Sequence, residues 1–261
     1  MARIFITGST DGLGRAAAQW LVDEGHEVVL HARSAERAAV VADIPSVGMA
    51  IGDLRSADAV RAVADQVNAL GRMDAVIHNA GIYSTPERGA TAEGHAAILA
   101  VNTLAPYILT ALITRPARLI YLSSELHRGG EGSLRDIDWT ERRWNAGQAY
   151  AESKLQLAAL AAVVARRWPE VLSNAVDPGW VHTKMGGANA PVDLDTGQRT
   201  QSWLAVSNEP EALVSGRYWH DMEERQPAPE AIDPAFQDGL LEQLERLTGL
   251  ALPRESDAPS P

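Results

Sequence analysis

Arg3-Ile4-Phe5-Ile6-Thr7-Gly8-Ser9-Thr10-Asp11-Gly12-Leu13-Gly14, followed by the alanine-rich run Arg15–Glu24, reads as strand, glycine loop and helix. Glycines let a backbone approach a ligand closely. A helix that starts at the end of such a loop aims its free amides and the positive end of its dipole at an anion. In this context the glycines argue for a pyrophosphate site rather than a structural turn. The spacing is TGxxxGxG, not the GxGxxG of the general dinucleotide fingerprint.

Strands and helices alternate outward from that unit. Further strands are expected at Glu27–His31, Ser46–Ile51, Met73–His78, Ala117–Leu122, Val171–Val176 and Val214–Trp219. Helices are expected at Ser56–Leu70, Ala90–Leu112, Ala149–Arg167, Leu194–Val206 and Phe236–Leu247, the first with apolar spacing at Val60, Val63, Val67 and Leu70. Alternation of this kind predicts an α/β fold: a Rossmann-type, doubly wound parallel sheet of about seven strands with helices on both faces. No repeat or linker interrupts it, so residues 1–252 are expected to be one domain. Residues 184–212 are expected to form a substrate lid within it, and 253–261 a disordered tail.

A chain of 261 residues with 46% hydrophobic residues can bury a large core. The net charge of −11 argues against nucleic acid. With no cysteine there is no disulfide or thiolate metal site, and the seven histidines show no ligand spacing, so no metal is expected. The first strand begins at Ala2 or Arg3, and no apolar run approaches a membrane span. A cytoplasmic protein without a membrane partner is expected.

The sequence offers several chemistry-bearing positions. Arg33 follows the second strand 19 residues after Gly14, where a carboxylate would accept from a ribose hydroxyl and an arginine would accommodate a 2′-phosphate. This favours NADP over NAD, with Arg15 a second candidate for that phosphate and Asp11 opposing it. Asn79-Ala80-Gly81 ends the fourth strand with small residues that let the chain pass beneath a ligand. Ser123-Ser124 ends the fifth, where either serine could bond a substrate carbonyl. Tyr150 and Lys154 lie one helical turn apart, so the ammonium is expected to lower the phenol pKa from about 10 toward a value useful for proton transfer. Such a pair is most often only a surface contact. Trp139, Trp144, Trp180, Met185, Trp203 and Trp219 could line an apolar pocket, or be core.

With these residues in order, the chain resembles the short-chain dehydrogenase/reductase family over roughly Ala2–Thr183. Thr7-Gly8-xxx-Gly12-x-Gly14 is similar to its nucleotide loop, Asp53-Leu54 to the acid that meets adenine, and Asn79-Ala80-Gly81 to its NAG segment. Val101-Asn102 is similar to the active-site asparagine, Tyr150-xxx-Lys154 to the signature pair, and Pro178-Gly179-Trp180-Val181-His182-Thr183 to the PGxVxT turn. The resemblance selects Ser124 over Ser123. It implies a cofactor site formed by Gly8, Thr10, Asp11, Gly12, Leu13, Gly14, Arg33, Asp53, Leu54, Asn79, Ala80, Gly81, Tyr150, Lys154, Pro178, Gly179, Val181 and Thr183. Ser124 stands 26 residues before Tyr150, and the segment Glu125–Asn145 between them is similar to the longer insert of the retinol-dehydrogenase-like branch. The short segment Thr110–Arg118 weakens the family's usual helix-mediated dimer, though a homo-oligomer is left open.

The implied reaction is reversible hydride transfer between NADP(H) and a small-molecule carbonyl or alcohol. Ser124 would bond the substrate oxygen and Tyr150 would act as general acid or base. Lys154 would support the tyrosine and hold the nicotinamide ribose, and Asn102 would position a relay water. A catalytically silent NADP-binding regulator, an NAD-preferring dehydrogenase and a nucleotide-sugar epimerase or dehydratase are the alternatives.

Overall fold

The computed structural model describes residues 1–83 and 85–253. In chain order its elements are β1 (Arg3–Ile6), α1 (Gly12–Asp23), β2 (Glu27–Ala32), α2 (Ala35–Ala39), β3 (Gly48–Ile51), α3 (Ala57–Ala69), β4 (Ala75–His78), α4 (Ala97–Leu99), a π-helical turn (Ala100–Leu104), α5 (Ala105–Leu112), β5 (Arg118–Leu122), a 3-10 turn (Glu125–Gly129), α6 (Ala146–Arg167), β6 (Leu172–Asp177), α7 (Leu194–Val206), β7 (Tyr218–His220), β8 (Glu223–Arg225) and α8 (Pro234–Thr248). They build one sheet in the order β3-β2-β1-β4-β5-β6-β7-β8, parallel except for β8. The order reverses between β1 and β4, the switch point at which such sheets open a ligand crevice.

The first six strands lie within two residues of their expected bounds. Helix starts are set by caps: Asp11 accepts from the Gly12 amide, Ser56 from Ala59 and Asn145 from Gln148. The expected helix at Ala90–Leu112 begins only at Ala97. Ala90 and Ala96 pair in an isolated bridge, and Arg88, His95 and the Ala96 amide are tied to Asp138 instead. The seventh strand is Tyr218–His220 rather than Val214–Trp219: before it, backbone bonds of Gly216 and Arg217 to β6 are mixed with side-chain bonds, Asn174 to Val214 O and Arg217 N and Ser215 Oγ from the Ser173 amide. An eighth strand, not expected, returns antiparallel through Asp221-Met222, both with positive φ, the geometry of a two-residue hairpin turn. Residues 254–261 of the expected tail lie outside the described residues.

Two apolar layers cover the sheet. α1 and α7 pack on one face, and α3, α5, α6 and α8 on the other. Burial of α6 is almost complete from Ala149 to Ala161, because α8 and the turn Pro229–Ile232 lie along it. The insert before α6 is a folded clamp rather than a loose loop. Asp136 gathers the amides of Thr140, Glu141 and Arg142, which hold its carboxyl down at about 2 against its burial. Arg142 then forks onto the buried Glu152 of α6 at 2.9 and 2.8 Å and stacks on Trp139 at 3.8 Å. No helix among the described residues is long and apolar enough to cross a membrane.

Trp168 closes the end of α6. It is fully buried, donates from Nε1 to Pro253 O at 2.8 Å and carries Arg115 over its ring at 4.3 Å. Trp168→Ala is expected to cost about 3–5 kcal/mol through the cavity it leaves, read as a lower urea midpoint; an unchanged midpoint would contradict this packing.

Candidate active site

At the switch point the loop after β1 and the segment after β4 touch. Gly8 has φ +66°, and a Cβ there would stand 3.1 Å from Ala80 Cα. A Cβ on Gly14 would stand 2.5 Å from both the Gly8 carbonyl oxygen and Asn79 Nδ2. Asn79 Nδ2 donates to Thr7 O at 2.9 Å, whereas its Oδ1 is buried with no protein partner. Thr7 Oγ1 accepts from the Ala80 amide. The result is a tight cradle that only glycine permits, with α1 starting at its rim.

His31 holds this cradle, a role that residue spacing did not reveal. Its Nδ1 accepts from the Gly8 amide at 2.9 Å, so Nε2 carries the proton and donates to Gly52 O at 3.0 Å, while its own amide donates to Ser9 Oγ. Burial pushes its pKa down, in keeping with a neutral ring. Arg33 is exposed at the end of β2 and close enough to Asp53 to lower the pKa of that acid. Arg37, also missed, reaches back over the loop to Thr10 Oγ1 and O and to Asp11. Arg15 instead pairs with Asp43 at 2.7 Å. Asp53 is held by Arg55, and the Leu54 side chain lies in the core, which leaves its backbone to face a ligand.

Four expected residues gather at the ends of β4 and β5. Ser124 sits just beyond β5 with its hydroxyl close enough to the phenol of Tyr150 on α6 to lower the pKa of that phenol. Ser123 is turned away and donates to Lys154 O at 2.8 Å. Lys154 Nζ is buried, donates to Leu122 O at 2.6 Å and lies 5.4 Å from the Tyr150 ring centroid. Asn102 lies in the π-helical turn, a form that recurs at functional sites. Its side chain is committed: it accepts from the Ile82 amide at 2.8 Å and donates to Ile82 O and Ser153 Oγ. Gly81 is thereby held where a Cβ would stand 3.4 Å from Lys154 Nζ.

The expected depression of the tyrosine pKa by Lys154 is not found. Burial pushes the Tyr150 phenol up to about 12, the nearby Ser124 hydroxyl opposing and Asp177 adding to the rise. Burial also pushes Lys154 down to about 8, with Asp177 opposing. Proximity of the pair was legible in the spacing; desolvation of both groups was not, and here it is the larger effect.

The turn after β6 completes the rim. Gly179 has φ +79° and donates its amide to the buried Asp177 at 2.9 Å. Val181 is buried, and Thr183 faces the glycine loop, its Cγ2 3.4 Å from where a Cβ on Gly12 would be. Lys184 bridges to Asp11 and α7 follows. Of the aromatic pocket candidates only Trp180 and Met185 are exposed. Trp139 and Trp144 pack with Ile98 and Ala149, and Trp203 meets the buried Trp219 edge-to-face against the core of the opposite face.

The fold is shared with known proteins. The family model described as short chain dehydrogenase matches residues 2–192. The chain belongs to that family. It is 41% identical to an uncharacterized oxidoreductase of Emericella nidulans, over 97% of this chain and 99% of the relative. It is 40% identical to the short-chain dehydrogenase chyC of Penicillium rubens, over 97% of this chain and all of the relative. Human retinol dehydrogenase 13 is 29% identical, over 99% and 88%. A crystal structure of an uncharacterized protein from Mycobacterium paratuberculosis superposes with a TM-score of 0.85 at 26% identity, covering 97% of this chain and 95% of that one. A short chain dehydrogenase from Burkholderia cenocepacia in complex with NADP superposes at 0.68 and 25% identity, covering 84% and 95%. The protein is an oxidoreductase of the short-chain dehydrogenase type, with a Rossmann-type sheet suited to a nicotinamide cofactor.

The residues fit such a cofactor: a glycine cradle that a Cβ would fill, a helix N-terminus at its rim and an orphan acceptor on Asn79. Among the described residues no group of three or more acidic, histidine or cysteine side chains could hold a metal. Gly14→Ala is expected to abolish dinucleotide binding in a fluorescence titration; wild-type affinity would contradict the cradle. Lys154→Met removes a buried charge and is expected to raise Tm at neutral pH. Because the folded-state pKa of Lys154 is depressed, the wild type gains stability as the pH rises through about 8 toward 10.5, where only the unfolded chain still binds the proton. The Tm gap should therefore narrow with pH, and a gap that widens would contradict the burial cost.

Proposed function

We propose that the protein is an NADP(H)-dependent oxidoreductase that interconverts a carbonyl and a primary or secondary alcohol, with Tyr150 as general acid and base. The observation that carries this is the convergence of Ser124, Tyr150 and Lys154 beyond β5, the serine near enough to act on the phenol and the lysine 5.4 Å from its ring, with the glycine cradle two strands away. The cradle Gly8–Gly14, Asn79–Gly81 and the turn Pro178–Thr183 would hold the dinucleotide, with Asp53 and Leu54 toward adenine. When bound, the reduced cofactor supplies the hydride.

The protein's part is oxygen chemistry. Ser124 would donate to the substrate oxygen as negative charge develops on it. A phenol with a pKa near 12 keeps its proton at neutral pH, the state required for donation to that oxygen. Lys154, charged at neutral pH, would stabilise the phenolate left behind and hold the nicotinamide ribose. Asn102 would serve the return of the proton by fixing Gly81 and Ile82 beside Lys154. In oxidation the same steps run backward.

Two features refine the assignment. Arg33 and Arg37 follow β2 with no carboxylate at its tip, which favours a 2′-phosphate and so NADP(H). The NADP-bound relative of known structure supports this. Tyr83, Leu126, Trp180 and Met185 are exposed apolar side chains on the segments after β4, β5 and β6. Tyr83 meets the Tyr150 ring edge-on at 4.6 Å and Leu126 lies in the turn that Ser124 caps; with the exposed Trp180 and Met185 they favour an apolar, ring-bearing substrate.

The test is NADPH oxidation against a panel of ring-bearing ketones and aldehydes. Tyr150→Phe is expected to lower kcat by about 10²–10⁴-fold; turnover that survives it would remove the acid role. Arg33→Ala is expected to weaken NADPH by about tenfold or more, the worth of a charge-assisted hydrogen bond, and to leave NADH unaffected. Equal losses for both cofactors would remove the phosphate assignment.

A further inference from the structure

We propose that His127 is a positioning residue for Ser124, an imidazole locked in one tautomer that fixes the peptide on which the serine stands. This rests on the Ser124–Tyr150 assignment above. His127 lies in the 3-10 turn after β5 and is fully buried. Its Nε2 is 2.8 Å from the Ala228 amide, and its Nδ1 is 2.8 Å from the Ser124 carbonyl oxygen. An amide N–H only donates and a carbonyl only accepts, so Nε2 is bare and Nδ1 carries the proton. The His127 amide donates to the same Ser124 oxygen at 2.9 Å.

Two donors from one residue thus hold the Ser124 carbonyl, and the side chain carried by that residue is the one that faces Tyr150. Among the described residues, Ser124 Oγ has a 3.3 Å bond from the Leu126 amide to orient it within the turn. The ring packs on Tyr218 of β7, centroids 4.6 Å apart and tilted by 35°. Arg128 next to it donates to Gln226 O. The serine is therefore set by the C-terminal segment 226–228, about a hundred residues away and containing none of the catalytic candidates. A protonated ring would turn an N–H toward the Ala228 N–H, and burial lowers the His127 pKa in the same sense.

Two substitutions divide the ring's bonds. In His127→Gln the amide oxygen can stand at Nε2 and accept from Ala228, but nothing donates to Ser124 O. In His127→Asn the amide nitrogen can stand at Nδ1 and donate to Ser124 O, but Ala228 loses its acceptor. The glutamine variant is expected to lose about tenfold to a hundredfold in kcat, as for a reacting group displaced by a fraction of an ångström, with KM and NADPH affinity little changed. The asparagine variant is expected to recover most of that kcat despite a Tm no higher. Equal kcat in wild type and glutamine variant, or equal losses in both variants, would overturn the positioning role.

Ser124→Ala separates this from the functional assignment. Turnover that persists in Ser124→Ala defeats that assignment itself. Turnover that Ser124→Ala abolishes and His127→Gln spares defeats only the role of His127. Independently of turnover, long-range ¹H–¹⁵N spectra of the wild type, assigned by the signal lost in His127→Gln, should show a protonated Nδ1 and a bare Nε2 near neutral pH. The opposite tautomer would overturn the proposal.

Discussion

Lys154 carries an ammonium into a buried place, where it is anchored on the carbonyl at the end of β5, at 2.6 Å. Much of the surrounding architecture can be read as the means of holding it there. α6 is packed on nearly every side, by the sheet, by α8 and by the insert clamp at Glu152. An exposed helix could not hold a lysine 5.4 Å from a tyrosine ring while both are stripped of solvent. The cost of that desolvation is visible in both groups, the phenol displaced upward and the ammonium downward. A site in this condition is prepared for a partner that restores polar contacts, which the neighbouring dinucleotide cradle could supply.

The cradle answers a different demand, close approach of backbone to backbone. Gly8, Gly14, Ala80 and Asn79 pack so tightly that side chains larger than those present would meet main-chain atoms. Two buried histidines then fix the loops on either side of the crevice by the same device. His31 accepts from an amide at Nδ1 and donates at Nε2, and His127 does the reverse. Each is neutral by virtue of its partners, and in each burial moves the pKa toward neutrality of the ring.

Much of this was legible in the chain itself, for a physical reason. Strand, glycine loop and helix are local patterns, and the order of Gly8–Gly14, Asn79–Gly81, Ser124, Tyr150 and Lys154 follows the order of strands whose carboxyl ends share one edge of the sheet. What escaped depends on contacts distant in sequence. β8 follows a turn made by Asp221-Met222, with neither glycine nor asparagine to announce it. The approach to β7 is tied to β6 partly through Asn174 and Ser215, whose side-chain bonds no periodicity records. Trp203 and Trp219 were candidates for a pocket, yet they meet edge-to-face, 5.3 Å apart, against the core, since composition does not say which face an aromatic ring takes. The partner of His127 lies at Ala228, beyond any local motif.

The central claim is that Ser124, Tyr150 and Lys154 serve direct hydride transfer from the cofactor to a carbonyl carbon. Reduction of a ring-bearing ketone with NADPH deuterated at C4 measures this most directly, with the alcohol product analysed by mass spectrometry and NMR. Deuterium on the carbinol carbon, in one configuration and absent from solvent, is the predicted result. A product whose carbinol hydrogen comes from water, or a label divided equally between configurations, would contradict it.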